Sequence, residues 1–198
     1  MKIFITFLAM IVLSSCIIYT RPITTVSAEL YVEDEGMNGF YVSVENYYRV
    51  PEREIIIVRD SGIPYDEMPV VFFIAQRARV TPTVIIDLRR RNMSWMDITL
   101  YYRLSPDIYY VPIQSGPPNG HAYGHYVNKP KKQWKNMNFK DNDIVNLVNL
   151  KFVAEHNKQK PAEIIKMREN GSNFKEINHN IKNSRNKDNG KGHGKDKR

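Results

Sequence analysis

The sequence has few of the residues from which covalent or metal-centred chemistry is built. Cys16 is the single cysteine among 198 residues, so no intramolecular disulfide can form. The chain also lacks a Gly-x-Ser-x-Gly motif and a glycine-rich phosphate loop. The α/β-hydrolase nucleophile motif and the phosphate-binding loop are therefore excluded. Without a disulfide, we expect the core to be stabilised by packing alone.

Long apolar runs are also scarce, and the most pronounced one lies at the N-terminus. A basic start precedes the apolar residues 3–13, which is the layout of a secretory signal and is short for a membrane span. Val26-Ser27-Ala28 predicts a signal at residues 1–28 that is cleaved before Glu29. Leu13-Ser14-Ser15-Cys16 resembles a lipobox, so the alternatives are a lipoprotein signal that ends before a lipidated Cys16, and an uncleaved anchor. Each alternative predicts export.

The excess of positive charge is concentrated at the two ends of the chain. The net charge is +8 at pH 7, but residues 182–198 hold seven Lys or Arg against two Asp. Lys2 and Arg21 belong to the predicted signal, which leaves +1 for residues 29–181. We therefore expect a nearly neutral domain followed by a disordered basic tail at 182–198. Membrane association is expected through this tail or through a lipid on Cys16.

A stretch in the middle of the chain occurs twice. Residues 73–98 align without a gap to residues 152–177 when the numbering is shifted by 79. Such self-similarity predicts short helical-hairpin repeats, each of which packs on its neighbour. The seven identical pairs are Phe73/Phe152, Ala75/Ala154, Pro82/Pro161, Ile85/Ile164, Ile86/Ile165, Arg89/Arg168 and Ile98/Ile177.

Proline, glycine and asparagine divide the chain into short helices. A proline at the first helical position loses no hydrogen bond, and Pro51, Pro82, Pro106 and Pro161 each follow a predicted helix end. Glycine and asparagine tolerate the positive φ that ends a helix. The expected ends are Gly62, Asn92 and Gly171, the expected N-caps are Thr81 and Ser105, and the expected capping boxes begin at Ser94 and Asn173.

These signals predict an all-α fold. The predicted helices span 41–49, 52–60, 65–79, 83–91, 95–103, 142–157, 162–170 and 174–182. They group into an N-terminal segment at 29–46, a first helical repeat region at 47–108, a loop at 109–140 and a second repeat at 141–181. A partial N-terminal copy of the repeat is expected to precede the two related copies. Residues 29–44 alternate between apolar and polar, which predicts either a small β-hairpin or, in the second half, the first helix.

The loop at 109–140 is the expected binding region. Proline, glycine and aromatic residues are concentrated in it without a helical or strand period, and connections of this length are uncommon unless they have a function. Tyr109, Tyr110 and Trp134 either stack on a sugar or protein partner or cover the helical core. The candidate binding residues are Gly116, Pro117, Pro118, Gly120, His121, Tyr123, Gly124, His125 and Tyr126.

Two histidines in this loop offer a second interpretation. His121 and His125 are four residues apart, a spacing that lets two imidazoles share a metal on a helix, but the glycines around them disfavour a helix. The third ligand would be His156 or Asp141. A metal-dependent enzyme built on this pair is therefore an alternative function, whereas our main interpretation requires neither metal nor cofactor.

Arginines near the predicted helix ends admit two further interpretations. Arg59, Arg89 and Arg168 stand where a guanidinium opposes the helix dipole, with anion binding as the alternative. The repeat also resembles a DNA-binding helix-turn-helix. Export would separate the protein from DNA and the predicted third helices lack a basic face, so nucleic acid is not the expected partner.

Three motifs resemble a group of exported bacterial proteins of unknown function. They are Val-Pro-Glu-Arg-Glu at 50–54, Arg-x-x-x-Met-Ser-Trp-Met-Asp-Ile at 89–98 and Gly-Pro-Pro-x-Gly-x-Ala-Tyr-Gly at 116–124. The likeness spans about residues 42–181, and Asn119 departs from the aromatic residue expected at its position. The resemblance implies a periplasmic or membrane-anchored envelope protein with no assigned activity. We therefore expect a non-enzymatic binding or scaffold module whose partner is an envelope protein or polymer.

Overall fold

The computed structural model describes residues 35–113 and 129–191, and in these two ranges it is helical with no β-strand. The all-α prediction is therefore confirmed. The helices are α1 Glu35–Tyr48, α2 Glu52–Asp60, α3 Met68–Ala78, α4 Pro82–Arg90, α5 Trp95–Tyr101, a 3₁₀ helix Pro106–Tyr109, α6 Lys131–Trp134, α7 Asp141–His156, α8 Pro161–Glu169 and α9 Phe174–Lys191. Within these ranges no single helix is long and apolar enough to cross a membrane, although the bent pair α3 and α4 meets both criteria when the two are taken together.

The core is centred on α3 and α7, which pack against each other. Every residue of α3 from Met68 to Ala75 is buried, and α7 buries nine of its residues. Because α3 is apolar on all sides, it must be surrounded by other helices. The helices α1, α2, α4 and α7 provide this cover.

Helix boundaries in the two related stretches agree with the alignment of the sequence. The helix α4 spans Pro82–Arg90 and α8 spans Pro161–Glu169, so both bounds differ by the same 79 positions. The next helices begin at Trp95 and at Phe174, which differ by the same shift. The interpretation of these stretches as copies of one repeat stays a prediction, and the shared boundaries support it.

The predicted helix ends and capping boxes are present. Gly62, Asn92 and Gly171 have φ values of 81°, 63° and 94°. In α5 the Ser94 hydroxyl accepts from the Asp97 amide at 3.0 Å, and the Asp97 carboxylate accepts from the Ser94 amide at 3.3 Å. Asn173 and Glu176 make the same reciprocal pair at the start of α9. Thr81 and Ser105 occupy the N-cap positions, but their side chains make no capping hydrogen bond.

A second class of helix end was not predicted. Arg49, Arg79, Arg103 and Lys158 follow α1, α3, α5 and α7, and all four have φ between 51° and 57°. After each of them the next amide donates to a carbonyl five residues earlier, as Val80 does to Ala75 at 3.0 Å. This bond satisfies a carbonyl at the helix end. A left-handed residue with a β-carbon costs about 1–2 kcal/mol, so such turns are usually recognised in a sequence by a glycine. These four turns have arginine or lysine instead, and the sequence therefore contains no signal for them.

The predicted β-hairpin is wrong where it can be compared with the structure. Phe40, Val42 and Val44 were expected to alternate along its second strand, but they lie in α1. Phe40, Val44 and Tyr48 are buried at a spacing of four, whereas Val42 is 44% exposed. The apolar period is therefore that of a helix, and the alternative that this half opens the first helix is confirmed.

The helix α9 continues past the predicted start of the basic tail, to Lys191. The disorder expected for residues 182–198 stays a prediction. Polar side chains support this extension, because Asn183 hydrogen-bonds His179 at 2.8 Å and Ser184 donates to the Asn180 carbonyl at 2.9 Å. Arg185 donates to the carbonyl of Asn157 after α7. Residues 192–198 lie outside the described part of the chain.

Both ends of the predicted loop at 109–140 belong to the core. Tyr109 is 1% exposed and stacks on Phe73 at 5.4 Å between ring centroids. Trp134 is fully buried and lies 5.5 Å from Phe139. These rings cover the helical core, as the second interpretation predicted, and they are not exposed for a sugar or protein partner. Residues 114–128 lie outside the described residues.

Candidate functional site

A pocket of about 480 Å³ lies where α1 and α3 end, beside the C-terminal half of α7. We call it the α1/α3/α7 pocket. It is within the size range of about 300–1,000 Å³ that is usual for small-molecule sites. Its walls include Tyr47, Tyr48, Gln76, Arg77, Lys151 and Glu155.

The turn after α1 is attached to α3 at the edge of this pocket. The side-chain amide of Gln76 donates to the Tyr48 carbonyl at 2.6 Å. Arg49 follows in the left-handed conformation, and the Val50 amide closes the turn on the Glu45 carbonyl at 3.2 Å. This arrangement fixes the tyrosines at the end of α1 relative to the polar residues of α3.

Arg77 is the most unusual cation in the pocket. It is half-buried, and its Nη1 donates to the Phe73 carbonyl one helical turn earlier at 3.2 Å. Its Cζ lies 3.4 Å from the centroid of the Phe73 ring. Burial lowers the pKa of Arg77 below its usual value. Among the described residues it has no carboxylate within ion-pair distance.

The carboxylate of the pocket is already occupied. The Tyr47 hydroxyl donates to Glu155 Oε2 at 2.5 Å, and Lys151 Nζ lies 3.9 Å from the other carboxylate oxygen. Burial lowers the pKa of Lys151, as do the charges of Arg77 and Lys131, while Glu155 opposes them. The lysine is therefore a half-buried cation next to other cations, with Glu155 as its one acidic partner among the described residues.

The hydroxyl of Tyr48 has no hydrogen-bond partner in the part of the chain that the structure describes. Tyr48 is only 4% exposed. Burial raises its pKa well above the usual value, and the neighbouring Tyr47 and Glu155 add to this effect while Arg77 opposes it. A buried hydroxyl without a partner loses about 1–3 kcal/mol of hydration, so such groups are rare and call for an explanation.

None of the described residues that line this pocket was predicted from the sequence as a binding residue. The candidate binding residues between Gly116 and Tyr126, including His121 and His125, and the lipidation candidate Cys16 lie outside the described residues. Of the proposed third metal ligands, Asp141 pairs with Arg89 at 2.5 Å and His156 lies against the Phe152 ring at 5.8 Å. The described ranges contain no group of three or more His, Cys, Asp and Glu that could hold a metal ion.

The residues of the pocket could not be predicted from the sequence, because they are contributed by three helices that are distant along the chain. The available signal is Arg77, which follows Phe73 by one helical turn in a helix that is otherwise apolar up to Ala75. Comparison with protein-family models, with curated proteins and with solved structures finds no match. Function must therefore be inferred from the chemistry of the pocket itself.

Proposed function

We propose that this chain is an exported, non-enzymatic binding module of the bacterial cell envelope that holds a small ligand in the α1/α3/α7 pocket. The observation that carries this proposal is the Tyr48 hydroxyl, which is buried at the pocket without a partner among the described residues. A ligand oxygen or nitrogen would supply the missing hydrogen bond. The gain on binding would be the recovered hydration cost of that hydroxyl.

Binding is favoured over catalysis by the groups that line the pocket. The raised pKa values of Tyr47 and Tyr48 keep both phenols protonated, so they serve as hydrogen-bond donors and not as bases. Glu155 is held by Tyr47 and Lys151, which reduces its availability for proton transfer. Together these groups can orient a ligand.

The envelope part of the proposal is based on the apolar N-terminus with its two cleavage patterns. The loop at 116–126 is the second expected contact, with an envelope protein or polymer as its partner. The helical core would then serve as a scaffold that carries both the pocket and the loop.

Export is tested on the full chain expressed in a bacterial host. Mass spectrometry of the envelope fraction should find a protein that begins at Glu29 or at a lipidated Cys16. A protein recovered in the cytoplasm with Met1 still attached would contradict export.

Binding is tested by thermal unfolding of the mature protein with a panel of neutral, cationic and anionic small molecules. At least one class should raise the unfolding temperature of the wild type and have a smaller effect on Tyr48→Phe. A suitable control is Tyr101→Phe, because Tyr101 is 63% exposed and does not line the pocket. If no class stabilises the wild type, the proposed pocket function is wrong.

A further inference from the structure

We infer that the α1/α3/α7 pocket binds a small oxyanion, a carboxylate or a phosphate ester, through Arg77 and Lys151. This inference depends on the proposed function, because it specifies the ligand of the same pocket. Three independent features support it: the balance of charge, the unused donors of Arg77 and the buried Tyr48 hydroxyl.

The charges at the pocket favour an anion. Arg49, Arg77 and Lys151 line it together with one acid, Glu155, so the lining carries a net charge of +2. Lys131 at the start of α6 lies close enough to Lys151 to oppose its protonation. An oxyanion placed among these cations would relieve their mutual repulsion, and partial burial would strengthen the attraction.

Arg77 has donors left for a ligand. One of its nitrogens donates to the Phe73 carbonyl. No carboxylate of the described residues lies within ion-pair distance of the guanidinium. The Phe73 ring beneath it fixes the orientation of the guanidinium plane. A planar fork held in this way suits bidentate recognition of carboxylate or phosphate oxygens.

Glu155 does not cancel this positive region. Its carboxylate accepts from the Tyr47 hydroxyl and faces Lys151, so the acid and Arg77 do not form an ion pair. Tyr47 would thereby keep Glu155 away from the oxyanion, while Tyr48 would supply a neutral donor to it. The Tyr48 hydroxyl then gains the partner that the described residues do not provide.

A competing explanation is that Arg77 only opposes the dipole at the C-terminus of α3. Arg79 stands at the same helix end, is exposed and does not line the pocket. It therefore provides a matched control, because removal of its charge changes the general electrostatics of this end without changing the pocket.

Calorimetric titration of the mature full chain tests the inference. Citrate and inorganic phosphate serve as oxyanion probes, benzoate as a small monocarboxylate, and glycerol and putrescine as neutral and cationic probes. At least one oxyanion should bind the wild type, and Arg77→Gln should weaken it at least about tenfold because a charged hydrogen-bond pair is lost. Lys151→Gln should also weaken binding, whereas Arg79→Gln should change the affinity by less than about twofold.

Circular dichroism first establishes that each variant is folded. If Arg77→Gln is not folded, Arg77→Lys replaces it, which keeps the charge and removes the fork, and should still weaken binding. Equal losses in Arg77→Gln and Arg79→Gln would overturn the inference in favour of general electrostatics. Binding of glycerol or putrescine that depends on Tyr48 but not on Arg77 would overturn the inference and leave the proposed function standing. Failure of every probe would refute both.

Discussion

Arg89 and Arg168, at corresponding positions of the two related stretches, make the same two contacts. Nη1 of Arg89 donates to the Met93 carbonyl at 3.1 Å, and Nη1 of Arg168 donates to the Ser172 carbonyl at 2.8 Å. Each guanidinium also lies over the aromatic ring that opens the following helix, at 4.6 Å and 4.7 Å from the centroid. This pair of contacts joins the end of one helix to the start of the next at both sites.

The two arginines differ in their acidic partners. Arg89 additionally binds Glu67 at 2.9 Å and Asp141 at 2.5 Å, and the other Asp141 oxygen accepts from the Trp95 amide at 2.8 Å. Arg89→Gln would leave two part-buried carboxylates without their cation, so we expect it to lower the free energy of unfolding by about 2–3 kcal/mol. Arg168→Gln is the matched control, with an expected loss below about 1 kcal/mol. Urea denaturation followed by circular dichroism measures both, and equal losses would contradict the ion-pair role.

Asn178 connects α7, α9 and α1 through buried side chains. Its Nδ2 donates to the Ser43 hydroxyl at 2.9 Å, and its Oδ1 accepts from Asn157 at 2.9 Å. Asn178→Leu would leave both neighbours buried without this partner and should cost about 2–3 kcal/mol of unfolding free energy. The exposed Asn180→Leu on the same helix should stay within about 0.5 kcal/mol. A thermal melt that ranks the two variants equally would contradict the role of this chain of hydrogen bonds.

Two N-cap residues should differ in their contribution to stability. Ser94 accepts from the Asp97 amide at 3.0 Å, whereas the Thr81 side chain makes no capping bond. We expect Ser94→Ala to lower the free energy of unfolding by about 1 kcal/mol, and Thr81→Ala to lower it by less than about 0.5 kcal/mol. Chemical denaturation of both variants gives the comparison. A loss at Thr81 as large as that at Ser94 would mean that the described hydrogen bonds do not determine capping strength.

Tyr48→Phe should separate stability from binding. The variant removes a buried hydroxyl that lacks a described partner, so we expect the unliganded protein to be stabilised by up to about 1 kcal/mol. The same change should weaken the oxyanion complex, because a donor to the ligand is lost. Unfolding temperatures with and without phosphate or citrate measure both effects in one series. A variant that is less stable without ligand would indicate that the hydroxyl has a partner elsewhere in the chain.

His156 should make stability depend on pH. Burial lowers its pKa below the usual 6.5, and the charges of Lys182 and Arg185 act in the same direction. As pH falls through 6.5 the unfolded chain takes up this proton before the folded chain does, so stability decreases until the pH reaches the folded-state pKa. His156→Gln should reduce the slope of unfolding temperature against pH between neutral and mildly acidic conditions. An unchanged slope would assign the dependence to other groups.

The parts of the fold that follow local rules were predictable. Gly62, Asn92 and Gly171 end helices because they tolerate positive φ, and Ser94 opens α5 because its hydroxyl and Asp97 satisfy two free amides. The turns at which an arginine or lysine is left-handed were not predictable, because a residue such as Arg79 gives no indication of that conformation in the sequence. Such a position is imposed by the packing of the helices on either side of it.

The structure differs from the expectations based on the sequence at the N-terminal hairpin, at the end of α9 and at the pocket, and each difference has its own physical cause. The hairpin prediction failed because Phe40 and Val44 satisfy both a strand alternation and a helical spacing, and burial decided for the helix. The continuation of α9 to Lys191 was not predicted, because composition does not register local bonds such as Asn183 to His179. The pocket was omitted because Tyr48, Arg77 and Lys151 meet only after three helices have packed. No local pattern in the sequence contains that information.

The hydrogen bond between Ser43 and Asn178 can form only after most of the chain has been synthesised. The first described helix lacks this partner until α9 has been synthesised, because ribosomes release the N-terminal end first. The helix α1 can pack on α2 and α3 earlier, so only its contact with the last helix must wait for the end of synthesis.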